Sequence, residues 1–211
     1  MQTDATWYFD VISPYAYLQL PDLERLPPEV VVRPVPVLLA ALLSHWGNKG
    51  PAEIPAKRLH AYRQCVWLAR RRNLPFQMPS RHPFNPLGAL RLLCSLGPTL
   101  EQARIASRFI FERGGDPSTP EGLKQLGTEL GVEHPESLAT ASSAKEQLRA
   151  NTNDALAQRV WGVPTFLIGG ELFWGADSFP MMLEYLADPG LFETPAMQRI
   201  ATLPVGATRT P

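Results

Sequence analysis

The sequence is poor in the residues that redox and metal sites use. It has two cysteines, Cys65 and Cys94, and they form no CxxC pair. Its four histidines are scattered, at positions 45, 60, 82 and 134, so they show no metal-ligand spacing. Both cysteines stand in apolar, helix-like segments, which predicts two small buried side chains rather than reactive thiols.

The chain also lacks a net charge and a long apolar segment. Twenty basic side chains balance twenty acidic ones, whereas a nucleic-acid binder usually has a basic excess. The longest apolar run, residues 35–43, contains Pro36 and is shorter than the roughly 18 residues of a membrane span. The N-terminus has no basic region followed by an apolar one. We therefore expect a cytoplasmic protein that binds neither nucleic acid nor membranes.

The N-terminal segment predicts a strand, a helix and a second strand. Residues 6–11 (TWYFDV) are aromatic and β-branched, which is typical of a buried strand. Ser13 is a favoured N-cap, and Pro14 suits the first helical position because its missing N–H costs nothing there. The helix is expected to run to about residue 26. Residues 30–37 predict the second strand, near a sheet edge because of its prolines, which completes a parallel βαβ unit.

The middle of the chain has helical periodicity. Helices are predicted over residues 55–72, 85–96, 100–113, 119–131 and 143–161. Start signals precede the last three, namely Thr99 with Gln102, Thr119 with Pro120, and Ser143 with Glu146. In the helix predicted over residues 55–72, one stripe contains Leu59, Tyr62, Val66 and Ala69.

The pattern then returns to strands. Residues 165–168 and 171–174 predict a hairpin around Gly169 and Gly170. A closing helix is expected over residues 177–186.

The order of these elements is βαβ, a helical block, then αββα. This order predicts an α/β, thioredoxin-like fold with a large all-helical insertion after the second strand. The predicted thioredoxin-like domain comprises residues 1–44 and 144–187, and the insertion comprises residues 45–143. The tail, residues 188–211, gives little structural signal.

Two short stretches have the residue types of a thiol-handling site. Ser13 places a hydroxyl at a helix N-terminus, where unpaired N–H groups favour an anion. Such a hydroxyl can donate to a thiolate and lower the pKa of that thiol, and a plain N-cap is the alternative. The second stretch is Gly162-Val163-Pro164-Thr165. Pro164 is either a turn residue or a cis-proline, and beside a cis-proline the backbone of Val163 would pair with an extended ligand.

Together these motifs resemble a known family. The opening FDVISPYAYL, the GNKGP stretch at residues 47–51 and the block GVPTFLIGGELFWGAD at residues 162–177 are similar to 2-hydroxychromene-2-carboxylate isomerases. They are also similar to kappa-class glutathione transferases, which share that architecture. The resemblance covers about residues 5–187. It implies glutathione as the cofactor, a small aromatic carboxylate from aromatic hydrocarbon catabolism as the substrate, and a homodimer.

The resemblance also implies roles for individual residues. Ser13 would be the catalytic serine that contacts the glutathione sulfur. The backbone of Val163, before Pro164, would pair with the cysteinyl part of glutathione. A second glutathione segment would comprise Trp174, Gly175, Ala176 and Asp177. In that segment the Asp177 carboxylate suits the γ-glutamyl ammonium.

The resemblance also implies that Tyr15, Asn48, Lys57 and His82 contact the second substrate. Asn48 and Lys57 match polar positions that reach glutathione or the substrate carboxylate. Lys57 equally fits a solvated helix start, and Tyr15 equally fits core packing.

This sequence departs from the family at several positions. Glu53, Ile54 and His82 differ from the amide, basic and phenolic residues of the naphthalene-pathway isomerase, at positions that face the second substrate. Ser178 stands where many relatives have arginine. The family's glutathione-binding residues therefore match this sequence better than its aromatic-acid-binding residues do.

The implied reaction interconverts 2-hydroxychromene-2-carboxylate and trans-o-hydroxybenzylidenepyruvate by reversible thiolate addition. A kappa-like transferase that leaves glutathione on an electrophile is the first alternative. A disulfide oxidoreductase is disfavoured because Ser13-Pro14-Tyr15-Ala16 stands where the cysteine pair would be. A non-catalytic module that binds a peptide beside Pro164 is the third.

Overall fold

A mixed four-stranded sheet organises the molecule, whose computed structural model describes residues 2–207. The strands are β1 (Thr3–Phe9), β2 (Val30–Pro36), β3 (Thr165–Ile168) and β4 (Glu171–Trp174), in the order β2-β1-β3-β4. β1 pairs in parallel with β2 and antiparallel with β3, and β3 and β4 form an antiparallel hairpin. The βαβ unit, the hairpin and the edge position of β2 are as the sequence predicts, although β1 begins and ends earlier than the predicted residues 6–11.

Helices fill the stretch between β2 and β3 and close the chain after β4. Within residues 2–207 the α-helices are α1 (Pro14–Gln19), α2 (Leu39–His45), α3 (Pro55–Arg71), α4 (Leu87–Leu96), α5 (Leu100–Phe111), α6 (Pro120–Glu129), α7 (Pro135–Thr140), α8 (Ser142–Ala157), α9 (Phe179–Ala187) and α10 (Pro195–Ala201). Short 3-10 helices are Leu20–Arg25, Pro51–Glu53, Ala176–Ser178 and Pro189–Glu193. The predicted helical block is therefore present, with α2 and α7 in addition.

The first helix differs from its prediction. It is α-helical only to Gln19 and continues as the 3-10 helix Leu20–Arg25. Pro21 has no N–H to donate to the carbonyl one turn earlier, so the α-helical ladder cannot continue through it.

The predicted cap of the helix that precedes β3 is wrong. α8 begins at Ser142 after Ala141, whose side chain cannot cap, so Ser143 and Glu146 do not form the start. Thr99 and Gln102 do form the predicted capping box of α5.

The two faces of the sheet bury alternate side chains of β1. Trp7 and Phe9 stack at 4.7 Å in the larger apolar cluster, whereas Tyr8 packs with Val37 and Leu42 in the smaller one. Helices therefore cover both faces of the sheet.

Both cysteines are buried and unpaired, as predicted. Burial raises the pKa of the Cys65 thiol to about 11 and that of Cys94 to about 12. These two thiols are therefore protonated at neutral pH and poor nucleophiles.

The tail has more structure than the sequence predicts. After α9 it forms the 3-10 helix Pro189–Glu193 and α10, and Phe192 packs against Phe173 and Tyr185 with ring centroids 6.0 and 5.4 Å away. The predicted tail reaches residue 211, and residues 208–211 lie outside the described part. The domain boundaries at residues 44/45, 143/144 and 187/188 stay predictions. Among residues 2–207, none of the helices has the length and apolarity needed to cross a bilayer.

Candidate functional site

Ser13 lies in the turn between β1 and α1. Its N–H donates to the Asp10 carbonyl at 3.0 Å, and its carbonyl accepts from Ala16 N–H at 3.1 Å. Within the described residues its hydroxyl forms no capping bond to α1, and only 6% of the residue is exposed. The turn therefore fixes the backbone of Ser13 and leaves the hydroxyl available to a ligand.

The Asp10 carboxylate holds this turn from the buried side. Its Oδ1 accepts from Ile12 N–H at 3.0 Å, and its Oδ2 accepts from Leu39 N–H at 2.9 Å. Burial raises the pKa of Asp10 to about 7, against the opposing effect of these two donors. Since Asp10 is fully buried, it ties the turn to the start of α2 and does not face a substrate.

The Val163–Pro164 peptide bond precedes β3 and is cis. Pro164 accepts at its carbonyl from Gly175 N–H at 2.8 Å, and Thr165 Oγ1 donates to the Gly162 carbonyl at 2.7 Å. Within residues 2–207 the N–H and C=O of Val163 have no hydrogen-bond partner in the chain. An extended ligand could therefore pair with Val163 as an added strand.

Gly175 connects the cis-proline loop to α1. Its carbonyl accepts from Gln19 Nε2 at 3.2 Å and from Ser178 Oγ at 3.0 Å. Gln19 is fully buried, and its Oε1 accepts from the Trp7 indole N–H at 2.8 Å. The buried amide therefore bridges β1, α1 and the segment of residues 174–177.

The residues on either side of Gly175 are open to solvent. Asp177 is exposed, so its carboxylate is accessible to a cationic group. Trp174 is 50% exposed and meets Trp161 edge-on, with ring centroids 6.1 Å apart.

Tyr15 lies between the insertion and this segment. Its hydroxyl donates to Gln64 Oε1 on α3 at 2.8 Å. Burial raises the pKa of Tyr15, and the Cys65 thiol and the Asp177 carboxylate raise it further. The half-buried Tyr15 is therefore a neutral hydrogen-bonding group near Asp177.

His82 lies beside the Ser13 turn with both ring nitrogens engaged by the protein. Nε2 is 2.7 Å from the Ile12 carbonyl oxygen, and Nδ1 is 2.6 Å from Tyr62 Oη. Burial lowers the pKa of His82. The predicted role of His82 in substrate binding stays a prediction, although neither nitrogen is free for a substrate carboxylate.

Asn48 and Lys57 lie on the surface. Asn48 follows α2, Lys57 lies in the first turn of α3, and both are exposed. Within residues 2–207 no hydrogen bond or ion pair joins either side chain to Ser13, Val163 or Asp177. Their predicted roles also stay predictions.

Sequence reasoning missed the residues that support the site. Asp10 had a visible signal, since it places a carboxylate at the end of an apolar strand, three residues before Ser13. Gln19 and Gln64 had none, because each has the pattern of an ordinary polar helix residue.

The fold and the site define a thioredoxin-like protein without a redox cysteine pair. The chain belongs to the DSBA-like thioredoxin domain family, whose model matches residues 6–187. This match confirms the predicted thioredoxin-like fold.

Its relatives are kappa-class glutathione transferases and 2-hydroxychromene-2-carboxylate isomerases. Glutathione S-transferase kappa 1 of Caenorhabditis elegans is 24% identical over 204 residues, which are 87% of this chain and 90% of that protein. The 2-hydroxychromene-2-carboxylate isomerase of Sphingobium xenophagum is 26% identical over 194 residues, covering 86% and 97%. A solved structure of a 2-hydroxychromene-2-carboxylate isomerase superposes with a TM-score of 0.75 at 20% identity, covering 95% of this chain and 100% of that one. The chain is therefore related to enzymes.

Proposed function

We propose that the protein is a glutathione-dependent isomerase that interconverts 2-hydroxychromene-2-carboxylate and trans-o-hydroxybenzylidenepyruvate, or a related pair of aromatic-catabolism intermediates. The observation that supports it is the bridge at Gly175. Its N–H bonds to Pro164 and its carbonyl bonds to Gln19. These bonds join the two segments that would bind glutathione to the helix that follows Ser13.

The residues present fit glutathione in three respects. Within residues 2–207 the N–H and C=O of Val163 are unpaired, so they suit the cysteinyl backbone. The exposed Asp177 carboxylate suits the γ-glutamyl ammonium. The Ser13 hydroxyl does not cap α1 within the described residues and can donate to the sulfur.

When bound, glutathione supplies the thiolate that adds reversibly to an electrophilic carbon of the substrate. Ser13 would donate a hydrogen bond to this sulfur when it attacks and again when it leaves, which stabilises the charged form in both steps. Lys57 would hold the substrate carboxylate, and Tyr15 would contact the substrate from α1. The protein then needs no cysteine nucleophile of its own.

A kappa-class transferase activity is the second candidate, and the relationship to the Caenorhabditis elegans transferase favours it. The same thiolate would serve both reactions. They differ in the fate of glutathione, which an isomerase regenerates and a transferase consumes.

One assay distinguishes these functions. The interconversion of the two carboxylates is followed by absorbance with and without glutathione, and free glutathione is quantified at the end. The proposal predicts turnover only with glutathione and an unchanged amount of it. Stoichiometric loss of glutathione would instead identify a transferase, and turnover without glutathione would contradict both.

We also propose that the protein is a cytoplasmic homodimer. Sedimentation equilibrium of the purified chain measures the assembly, and a mass of one chain at all concentrations would contradict it.

A further inference from the structure

The peptide unit that enters Ser13 is held at both of its edges. On one edge the Ile12 carbonyl accepts from His82 Nε2 at 2.7 Å. On the other edge Ser13 N–H donates to the Asp10 carbonyl at 3.0 Å. Because a peptide unit is planar, partners on its C=O and its N–H together fix its orientation. That orientation helps to set the direction of the Ser13 side chain.

The His82 ring is itself held in place. Tyr62 Oη is 2.6 Å from Nδ1 and 2.9 Å from the His82 carbonyl oxygen, so its single hydroxyl proton points toward these two acceptors. The rings of Tyr62, Phe84 and Phe111 meet the imidazole edge-on, with centroids 5.2, 5.9 and 6.1 Å away. Nε2 must be the donor toward Ile12 because a carbonyl oxygen only accepts. The ring can neither rotate nor swing away without losing these contacts.

These contacts connect two distant parts of the chain. Tyr62 lies on α3, and His82 lies in the loop between α3 and α4, so both belong to the helical insertion. Ile12 and Ser13 belong to the turn after β1. The orientation of the serine therefore depends on how the insertion packs against the β1–α1 turn.

We infer that His82 is a positioning residue, which holds the Ile12–Ser13 peptide so that the Ser13 hydroxyl faces the glutathione sulfur, and that Tyr62 orients the His82 ring. The inference rests on the proposed function, since glutathione is the partner of Ser13 there. It assigns His82 a different role from substrate binding, because both ring nitrogens already contact the protein.

The test measures the thiol pKa of bound glutathione, from the ultraviolet absorbance of the thiolate, together with kcat and KM. His82→Leu removes the donor to Ile12, whereas His82→Gln keeps an N–H donor. In His82→Leu the thiol pKa should rise by about one unit and kcat at neutral pH should fall about tenfold. KM for glutathione should stay within about twofold, because Val163 and Asp177 are unchanged. His82→Gln should recover most of the lost kcat. Tyr62→Phe should have a thiol pKa and a kcat between those of wild type and His82→Leu.

His60→Leu is the matched control, since His60 is an exposed histidine on the same helix as Tyr62. If His82→Leu does not fold, His82→Gln and Tyr62→Phe give the same comparison. An unchanged thiol pKa and kcat in both His82 variants would overturn the inference and leave the proposed function intact. A raised KM for the aromatic carboxylate with an unchanged thiol pKa would make His82 a substrate ligand and also overturn it. Failure of the wild-type protein to bind glutathione would instead overturn the proposed function, and the inference with it.

Discussion

At the scale of single residues, Asp10 links protonation to folding. Burial raises the pKa of Asp10 to about 7, whereas an aspartate in an unfolded chain titrates near ~4. The folded state therefore binds this proton more tightly than the unfolded chain. The stabilisation from this difference is complete below about pH 4 and is lost as the pH rises through about 7.

Asp10→Asn should remove this pH dependence. Asparagine cannot ionise, and its amide places one donor against the N–H of Ile12 or Leu39, so the variant should also be less stable by about 1–3 kcal/mol. Urea unfolding from pH 4 to pH 8 measures both effects. Wild-type stability should decline relative to the variant between about pH 4 and pH 7, and parallel profiles would show that Asp10 does not titrate in this range.

Gly175 has a backbone conformation that disfavours any residue with a side chain. Its φ is +85°, and a Cβ there would lie 2.4 Å from Asp177 Oδ1. Gly175→Ala should therefore displace Asp177 and weaken glutathione binding about tenfold or more, in addition to the strain of an alanine in a backbone conformation that is nearly restricted to glycine, about 1–3 kcal/mol. Isothermal titration calorimetry measures the affinity.

Gly170→Ala is the matched control, with a φ of +91° and open space around the added Cβ. It should lose stability but keep its affinity for glutathione. Equal affinities in the two variants would show that the clash with Asp177 has no effect on the site.

At the scale of elements, Gln19 holds the site together. It joins β1 to the segment of residues 174–177 through Trp7 and Gly175. Gln19→Leu should leave the buried indole N–H of Trp7 unpaired and cost about 1–3 kcal/mol. Glutathione affinity should fall as well, because Gly175 loses a partner.

Urea unfolding and calorimetry test both effects of Gln19→Leu. The control is Gln125→Leu on α6, where the amide donates to the nearby Glu121 on the surface. A Gln19→Leu variant as stable as this control would contradict the bridging role.

Elements with a local sequence signal could be predicted. The β3–β4 hairpin follows from short apolar strands around two glycines, and the start of α5 follows from its capping box. α3 shows where periodicity fails. Leu59 and Val66, on its predicted stripe, are each 54% exposed, while Cys65 is fully buried. Periodicity identifies a helix but does not determine which side meets the core.

The same holds for the candidate site, where residues with a local sequence pattern could be predicted and residues with long-range contacts could not. Ser13 and Pro164 are visible because a helix start and a proline before a strand are local patterns. The contacts of His82 with Ile12 and of Gln19 with Gly175 span 70 and 156 positions of the chain. No local pattern encodes such pairings, because they depend on how the insertion and the hairpin pack onto the β1–α1 turn.

At the scale of the whole molecule, the described part of the tail, residues 188–207, packs against β4 and α9. Phe192 stacks on Phe173 and Tyr185. Phe192→Ala should lower the free energy of unfolding by about 1–2 kcal/mol and leave glutathione affinity within about twofold. Ile200→Ala, at a position that is 60% exposed, should change neither. A glutathione affinity that falls in Phe192→Ala would show that the tail supports the site.

In the proposed function Ser13 donates a hydrogen bond to the glutathione thiolate. Glutathione-dependent isomerisation by wild type, Ser13→Ala and Ser143→Ala tests this role, Ser143 being an exposed serine on α8. Ser13→Ala should lower kcat about 10²- to 10³-fold, since it removes one donor to a developing anion, while Ser143→Ala should match wild type. A Ser13→Ala variant with wild-type kcat would show that Ser13 has no such role.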